Sequence, residues 1–319
     1  MRFHAFHASL ILILALLTAL SGCGGDSDYK PVDFSRTIVV AQPETKSVTD
    51  NVLRVAVAAM ISPKETFVYY QELLEYIGKN SGFRVQLIQR KTYDEVNQLF
   101  LKGEIDLAFI CTGPYAVGKN RYGFEALATP QVRGQPFYQS YLIVPKESPY
   151  QRFEDLKGRV FAFTDPDSNT GAMVPRFWLA KLGQSPESFF SKTIFTYSHD
   201  NSIMAVAKGL VDAAAVDGHQ WEYFERFNPT HTSKTRVILK SQQFGGPPLV
   251  ASARLPGDFK SKIRELILSL HQNPEGKRIL EKLLIDRFVA PREEWYEPAR
   301  AMIASLPDTP RDHHATPKP

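Results

Sequence analysis

A short polar stretch at residues 163–171, Phe-Thr-Asp-Pro-Asp-Ser-Asn-Thr-Gly, has the composition of an anion-binding helix start. An apolar run precedes it and an apolar helical pattern follows it, so the stretch is predicted to join a strand to a helix. The first N–H groups of a helix have no partner within the helix, and the helix dipole makes their surroundings positive. The hydroxyls of Ser168 and Thr170 and the amide of Asn169 supply further hydrogen bonds to an oxyanion. The same residue types also serve as ordinary helix caps, and that alternative stays open.

The elements that must position this stretch alternate between strand and helix from residue 52 onwards. Thr92 and Glu95 have the spacing of a capping box, which places Tyr93 in the first turn of a helix just beyond the carboxyl end of a strand. Such alternation is typical of an α/β fold. The predicted elements in this part of the chain are strands at 52–58, 83–88 and 105–110 and helices at 65–77 and 92–101.

Two nine-residue segments, at 102–110 and 208–216, share the pattern Lys-Gly-x-(Ile/Val)-Asp-x-Ala-x-(Ile/Val). In each copy the glycine is predicted to end a helix and the rest to form a short buried strand. The chain is therefore predicted to build two similar lobes. Cys111 and Thr112 follow the first copy, and Asp217 follows the second. Because ligands of open α/β sheets bind at the carboxyl ends of strands, both loops are candidate parts of a site.

Two extended segments are predicted to cross between the lobes. The first is 136–145, which contains Tyr138, and the second is the return through 236–252. Two crossings at the base of a cleft make a hinge about which the lobes close on a ligand. On this interpretation 51–138 and 248–305 form the first lobe and 139–247 the second. Helices predicted at 259–270, 274–284 and 292–303 then pack on the first lobe.

Residues 1–22 have the layout of a secretory signal peptide, with Arg2 before an apolar run and small residues at its end. The closing sequence Leu-Ser-Gly-Cys resembles a bacterial lipobox, in which Cys23 is lipidated and becomes the mature N-terminus. A plain signal peptide with an incidental cysteine is the alternative. Residues 23–50 are predicted to be a flexible tether to the membrane, and 306–319 a disordered tail. Lipidation of Cys23 would leave Cys111 without a partner for an intrachain disulfide.

Charge and motif content argue against several classes of function. The formal charge of +4 is spread among interspersed acidic and basic residues, which disfavours nucleic acid as a partner. Ser168, His199 and Asp217 are the types of a catalytic triad, but there is no Gly-x-Ser-x-Gly elbow, no clustered Cys/His metal spacing and no phosphate-binding loop. We therefore predict a binding protein with no catalytic residues, cofactor or metal.

From residue 52 to about residue 284 the sequence resembles the periplasmic substrate-binding proteins of phosphate, phosphite and phosphonate ABC transporters. Several separate motifs in the same order carry the resemblance. They are Ser-Pro-Lys-Glu-Thr at 62–66, Thr-Tyr at 92–93, the strand repeat with Thr-Gly-Pro-Tyr at 112–115, Tyr138 with Ser140 and 142–144, Asp-Pro-Asp-Ser-Asn-Thr-Gly at 165–171 with Val-Pro at 174–175, and Ser-His-Asp at 198–200. The resemblance implies a type II periplasmic-binding-protein clamshell and an ABC permease as partner.

The resemblance also implies a set of ligand-binding residues. Hydroxyl, phenol, amide and imidazole donors of this kind bind an oxyanion without a salt bridge from lysine or arginine. Simple packing is the alternative for the tyrosines, and a helix cap is the alternative for the histidine. The expected ligand-binding residues are Tyr93 and Thr112 of the first lobe, Tyr138 of the first crossing, and Ser168, Asn169, Thr170, His199 and Asp217 of the second lobe.

Residues after the second strand copy bear on the identity of the ligand. Relatives that bind aminoalkylphosphonates have acidic residues where this chain is aligned with His219 and Pro247. Asp217 is the only acid nearby, so we expect a small oxyanion without an amine, such as phosphate, phosphite or methylphosphonate. Cys111 leaves a second hypothesis open, in which its thiol binds a soft ligand such as arsenite and the protein is a sensor subunit of a membrane histidine kinase. A buried cysteine that only fills space is the alternative to that hypothesis.

Overall fold

The computed structural model describes residues 51–307, and the structural statements that follow refer to that part of the chain. The predicted signal peptide, the lipobox residue Cys23, the tether and nearly all of the predicted tail lie outside the described residues. Within them, no helix has both the length and the apolar character needed to cross a membrane.

Strands and helices alternate as the sequence predicts, with ends that differ by a few residues. The strand predicted at 105–110 is reduced to Leu107–Phe109. In chain order the strands are β1 Val52–Val57, β2 Arg84–Ile88, β3 Leu107–Phe109, β4 Phe124–Gln131, β5 Phe137–Tyr138, β6 Ser140–Pro145, β7 Val160–Phe163, β8 Lys192–Phe195, β9 Ala213–Asp217, β10 Thr235–Lys240, β11 Phe244–Gly245, β12 Leu249–Ser252 and β13 Arg287–Val289. The α-helices are α1 Pro63–Ser81, α2 Tyr93–Lys102, α3 Thr112–Tyr122, α4 Val174–Lys181, α5 Pro186–Phe189, α6 His199–Ala207, α7 Gly218–Phe227, α8 Gly257–Leu268, α9 Pro274–Lys282 and α10 Glu297–Ala304.

Two mixed sheets of the same design organise these strands. The first has the order β2-β1-β3-β12-β4-β13 and the second the order β8-β7-β9-β6-β10. In each sheet three parallel strands are followed by an antiparallel one, which is β12 in the first and β6 in the second. We call the first sheet with its helices the first lobe and the second sheet with its helices the second lobe. The predicted two-lobed α/β clamshell is confirmed.

The repeated Lys-Gly-x-(Ile/Val)-Asp motif has the same role in both lobes. Its glycines have left-handed φ angles of 69° and 66°, a conformation that favours glycine and suits the end of a helix. Asp106 accepts the N–H of Arg54 at 2.8 Å, and Asp212 accepts the N–H of Val160 at 2.8 Å. Each aspartate therefore secures the amino end of an equivalent strand, β1 or β7. The carboxyl ends of the same sheets are left to carry ligand-binding loops.

The hinge consists of β5 and β11, which pair antiparallel with Tyr138 opposite Phe244. These are the two crossings that the sequence predicts. The last helix, α10, packs against Ala116 of the first lobe and also reaches the hinge and the second lobe. Its residues Ala299 and Met302 lie on one helix face and pack both on the hinge strands and on Val174 of the second lobe. The apolar hinge surface explains this position, because Tyr138 and Phe244 are buried beneath the helix.

Helices cover both faces of each sheet, so the central strands are apolar on both sides. All residues of β3 and of β9 are buried, as expected for parallel strands inside α/β lobes. Cys111 and Asp217 lie where these two strands give way to helices α3 and α7. Both positions face the space between the lobes, where the candidate site lies.

Candidate functional site

The polar stretch after β7 forms the helix start that the sequence predicts. A π-helical turn, Asn169–Met173, leads directly into α4. Ser168 Oγ accepts the N–H of Gly171 at 3.0 Å, so this hydroxyl serves as a cap for its own helix. The N–H of Asn169 faces the thiol of Cys111, and the N–H of Thr170 has no acceptor among residues 51–307. These two N–H groups are the ones that an anion at the helix start would accept from.

Three polar atoms from the two lobes are buried here without a hydrogen-bond partner among the described residues. They are Tyr93 Oη of the first lobe and Asn169 Oδ1 and Thr170 Oγ1 of the second. All three residues are 0% exposed. Burial raises the pKa of Tyr93 well above its usual value. The nearby Ser168 hydroxyl lowers this pKa in part, although the Ser168 and Tyr93 hydroxyls do not form a hydrogen bond of normal geometry. Buried unpaired polar atoms are rare in folded proteins, and each calls for an explanation such as a ligand.

Tyr138 and Thr112 connect the site to the hinge. Tyr138 Oη accepts from Asn169 Nδ2 at 3.1 Å, and burial raises the pKa of Tyr138 so that the phenol keeps its proton. Thr112 Oγ1 donates to the carbonyl of Gly245 at 2.7 Å. The hydroxyl proton of Thr112, which we expected to contact the ligand, is therefore donated to hinge strand β11. The Tyr138 phenol remains able to donate a hydrogen bond.

His199 and Asp217 lie together at the end of β9. His199 Nδ1 accepts the backbone N–H of Asp217 at 3.1 Å, and burial lowers the pKa of the ring to about 3. The neutral ring therefore carries its proton on Nε2, the nitrogen that can donate to a ligand. Asp217 Oδ1 caps α7 by accepting the N–H groups of His219 at 2.8 Å and Gln220 at 3.2 Å. Burial raises the pKa of Asp217 to about 7.

The site supplies neutral donors and no fixed positive charge. Among residues 51–307 the buried charged side chains are three aspartates, Asp106, Asp165 and Asp217, with no lysine or arginine among them. Burial raises the pKa of Cys111 to about 11, although backbone N–H groups oppose the shift. The thiol stays protonated at neutral pH, which disfavours the soft-ligand hypothesis because the thiolate is the binding form. The described residues contain no cluster of three or more acidic, His or Cys side chains suited to a metal ion.

Two aspartates that sequence reasoning missed join the lobes across the cleft. Asp165 of the second lobe accepts the N–H of Tyr93, at the start of α2, at 3.1 Å. Asp200 of the second lobe accepts the N–H of Ser62, just before α1, at 2.9 Å. Both carboxylates therefore cap helices of the opposite lobe. The sequence contains no signal for these contacts, because Ser62 before Pro63 has the pattern of an ordinary cap; in the structure its side chain makes no capping bond, which leaves the start of α1 in need of an acceptor.

The two lobes approach each other closely at Gly113. A Cβ atom on this residue would lie 2.5 Å from the carbonyl oxygen of Asp167 and 3.2 Å from the nitrogen of Asn169. Only glycine permits this separation without displacing backbone. The N–H of His199 also donates to the carbonyl of Met60 at 2.9 Å, so backbone contacts flank the site on two sides.

Two lobes with equivalent sheets, joined by two crossing strands and enclosing a polar cleft, define a type II periplasmic binding protein. Residues 55–296 match the family described as "ABC transporter, phosphonate, periplasmic substrate-binding protein", and the chain belongs to this family. The family consists of substrate-binding components of transporters, so the chain is a periplasmic binding protein and not an enzyme.

The sequence identity to individual relatives is moderate, but the alignments cover most of the chain. The chain is 27% identical over 279 residues to the phosphate-import protein PhnD of Mycolicibacterium smegmatis, and the alignment covers 83% of each chain. It is 27% identical over 215 residues to the phosphonates-binding periplasmic protein of Escherichia coli, covering 66% of this chain and 63% of that protein, which is less than two thirds of its length. A binding protein component of an ABC phosphonate transporter from Pseudomonas aeruginosa superimposes with a TM-score of 0.74 at 26% identity, covering 79% of this chain and 85% of that structure.

Proposed function

We propose that the protein captures a small phosphorus oxyanion, namely phosphate, phosphite or a simple phosphonate, between its lobes and delivers it to an ABC permease. The observation that supports this most strongly is the set of buried unpaired atoms at the cleft, Tyr93 Oη, Asn169 Oδ1 and Thr170 Oγ1. They come from both lobes and surround the start of α4, where the N–H of Thr170 has no acceptor among residues 51–307 and the N–H of Asn169 meets only the weakly accepting thiol of Cys111. An oxyanion would satisfy these groups together.

Each polar group has a role that fits its hydrogen-bonding capacity. The N–H groups of Asn169 and Thr170 and the phenols of Tyr93 and Tyr138 donate to the anion, and His199 donates through Nε2. The Asn169 Oδ1 atom accepts from the hydroxyl of a singly protonated oxyanion. Because Tyr93 belongs to the first lobe and Thr170 to the second, the ligand makes more contacts when the lobes are closed and therefore favours closure.

Calorimetry of the purified protein with phosphate, phosphite, methylphosphonate, sulfate and arsenite tests the proposal. We expect at least one phosphorus oxyanion to bind, and Thr170→Val to weaken that binding about tenfold or more, the loss for one hydrogen bond to a charged ligand. Thr230→Val is the matched control, because Thr230 is exposed and bonds only to Asn228. Binding of arsenite with none of the phosphorus oxyanions would refute the proposal.

Delivery to a permease has a separate test in cells. Loss of the protein should abolish uptake of the ligand that calorimetry identifies. In a histidine-kinase sensor, by contrast, loss would alter gene expression and leave uptake intact. That hypothesis has no support in the relatives, which are transporter components.

We further propose that residues 1–22 are removed and that a lipid on Cys23 anchors the protein to the membrane, with the chain up to residue 50 as a tether. The sequence Leu-Ser-Gly-Cys is the support for this proposal. Fractionation should find the wild-type protein in the membrane fraction and Cys23→Ser in the soluble fraction. An unmodified N-terminus on the membrane-bound protein, measured by mass spectrometry, would contradict it.

A further inference from the structure

Arg133 lies in a tight turn between β4 and β5 of the first lobe. The backbone N–H groups of Val132 and Gln135 each donate to the carbonyl of the other residue, at 2.9 and 3.1 Å, so Arg133 and Gly134 form a two-residue turn. Both have left-handed φ angles, 50° for Arg133 and 75° for Gly134. Glycine, asparagine and aspartate suit both positions of such a turn, whereas an arginine there is strained. Strain of this kind is found where a side chain has a task, so the turn directs attention to the Arg133 side chain.

Three hydrogen bonds fix this turn to the first lobe. The N–H of Gly134 donates to Asp286 Oδ2 at 2.6 Å, and the carbonyl of Gly134 accepts from Gln131 Nε2 at 2.8 Å. Arg287 Nε in turn donates to Gln131 Oε1 at 2.6 Å. Arg133 therefore moves with the first lobe when the hinge opens.

The partner of Arg133 belongs to the second lobe. Its guanidinium forms an ion pair with Glu222 of helix α7. The other carboxylate oxygen of Glu222 accepts from the Tyr141 hydroxyl at 2.6 Å, and Lys240 Nζ donates to the same hydroxyl at 3.0 Å. The Glu222 side chain is 21% exposed and that of Arg133 66%, so the carboxylate is held in place and partly shielded from water. Because each partner is fixed to its own lobe, the pair exists only while the lobes are close together.

Helix α7 connects this ion pair to the proposed oxyanion site. The helix begins directly after Asp217, whose N–H donates to His199 Nδ1 at 3.1 Å. Its first residue, Gly218, lies against the ring of Tyr141, where a Cβ atom would come within 2.6 Å of a ring carbon. Helix α7 and Tyr141 therefore move together. A contact that holds Glu222 on the first lobe also holds this side of the site closed.

We propose that Arg133 and Glu222 form a latch between the lobes, which closes over bound ligand and slows its release. The inference rests on the proposed function for the identity of the ligand. Arg133 acts as a positioning residue, through Glu222 and α7, and has no contact with the ligand itself. Because the pair is partly exposed, its contribution is modest and is screened by salt.

Two variants remove the latch and keep the structure around it. Glu222→Gln removes the charge but still accepts from Tyr141, and Arg133→Asn places a residue suited to the left-handed turn. In stopped-flow measurements with phosphate, phosphite and methylphosphonate at low salt, each variant should release ligand about two- to fivefold faster, with an unchanged association rate. The double variant should be no faster than either single variant, and the difference from wild type should vanish at about 1 M salt, where charges are screened within about 3 Å.

Two comparisons separate the latch from a structural role. Arg133→Asn should resist urea at least as well as wild type, because the turn is relieved of strain, so faster release cannot be attributed to loss of folding. Arg152→Asn is the matched control, since its exposed ion pair with Asp155 lies within the second lobe, and it should leave the release rate unchanged.

Closure can also be followed without ligand, by single-molecule energy transfer between dyes at exposed positions 265 of the first lobe and 157 of the second. The ratio of closed to open molecules should fall about two- to fivefold in each latch variant. Release rates and closed-to-open ratios that both equal those of wild type would overturn the latch. Failure of phosphate, phosphite and methylphosphonate to bind wild type would instead refute the proposed function, and the ratio measured without ligand would then decide the latch alone.

Discussion

Replacement of Tyr93 by phenylalanine should stabilise the protein without ligand while weakening its binding of ligand. The tyrosine is 0% exposed, and its hydroxyl has no hydrogen-bond partner among the described residues. The ring itself is part of the first lobe's core, so the substitution keeps its packing. Only the hydroxyl is removed, which makes the sign of each effect a direct test of its role.

The two magnitudes follow from the burial of that hydroxyl. An unpaired buried polar group costs about 1–3 kcal/mol, so removing it should raise the free energy of unfolding by up to that amount. For a domain of this size the corresponding rise in Tm is about 2–10 °C. If the lobes open without ligand, water satisfies the hydroxyl and the gain shrinks towards zero, but it does not change sign. A hydrogen bond to a charged ligand contributes about 1.5–3 kcal/mol, so affinity should fall about 10- to 150-fold.

Urea unfolding of the protein without ligand and calorimetry with the identified oxyanion measure the two effects. Tyr150→Phe serves as the control because its hydroxyl is paired, donating to Asp212 at 3.0 Å. This control should lose about 0.5–1.5 kcal/mol of stability and keep its ligand affinity. A loss of stability in Tyr93→Phe together with unchanged affinity would show that the hydroxyl is structural, and the reasoning about the site would fail.

Three further predictions concern closure and pH. Gly113→Ala should weaken ligand binding more than about tenfold and leave the scattering radius of the liganded protein larger, because its Cβ would meet a backbone carbonyl of the other lobe at 2.5 Å. Gly257→Ala, where a Cβ meets open space, should change neither quantity. Asp200→Ala removes the acceptor that caps α1 across the cleft at 2.9 Å. We expect this change to make the free energy of lobe closure less favourable by about 0.5–2 kcal/mol, which lowers ligand affinity roughly 2- to 30-fold. Asp258→Ala, which removes an acid from the first turn of α8, should leave the affinity unchanged. Asp217, whose pKa burial raises from 3.8 to about 7, contributes stability that is complete below pH 3.8 and is lost as the pH rises through about 7. Asp217→Asn should flatten that decline in urea unfolding, and an identical pH profile for the two proteins would contradict the assignment.

Local sequence patterns predicted most of the fold because the helix caps, turns and strands that they indicate are formed by residues close together in the chain. The capping box of Thr92 and Glu95 is present at the start of α2, since both bonds lie within one helical turn. The strand repeat predicted two equivalent sheets because its glycines and aspartates form the same turn and the same strand contact in each lobe. The hinge crossings were predictable because an extended apolar segment that lies between two α/β units in the sequence usually connects those units in the fold.

The parts of the site that the sequence did not predict depend on contacts between distant segments. Asp165 caps a residue 72 positions away, and Asp200 caps one 138 positions away. Ser168, which we expect to bind ligand through its hydroxyl proton, also caps its own π-helical turn, in which Ala172 and Met173 both donate to the Ser168 carbonyl. A single sequence contains no signal that distinguishes a π-helical turn from an ordinary helix start, because the choice is made by packing around it.

Helix starts supply the positive potential at the candidate site, which has no buried lysine or arginine among the described residues. In each lobe the helices follow the carboxyl ends of strands, so α1, α2 and α3 of the first lobe begin near the same cleft as α4, α6 and α7 of the second. Bringing these positive ends together is unfavourable unless negative charge lies between them. Asp200 provides part of that charge by capping α1 across the cleft, and Asp165, whose pKa burial raises to about 7, provides a smaller part by capping α2. On the proposed function the start of α4 is left for the ligand, and we expect closure of the lobes to depend on an anion at that position.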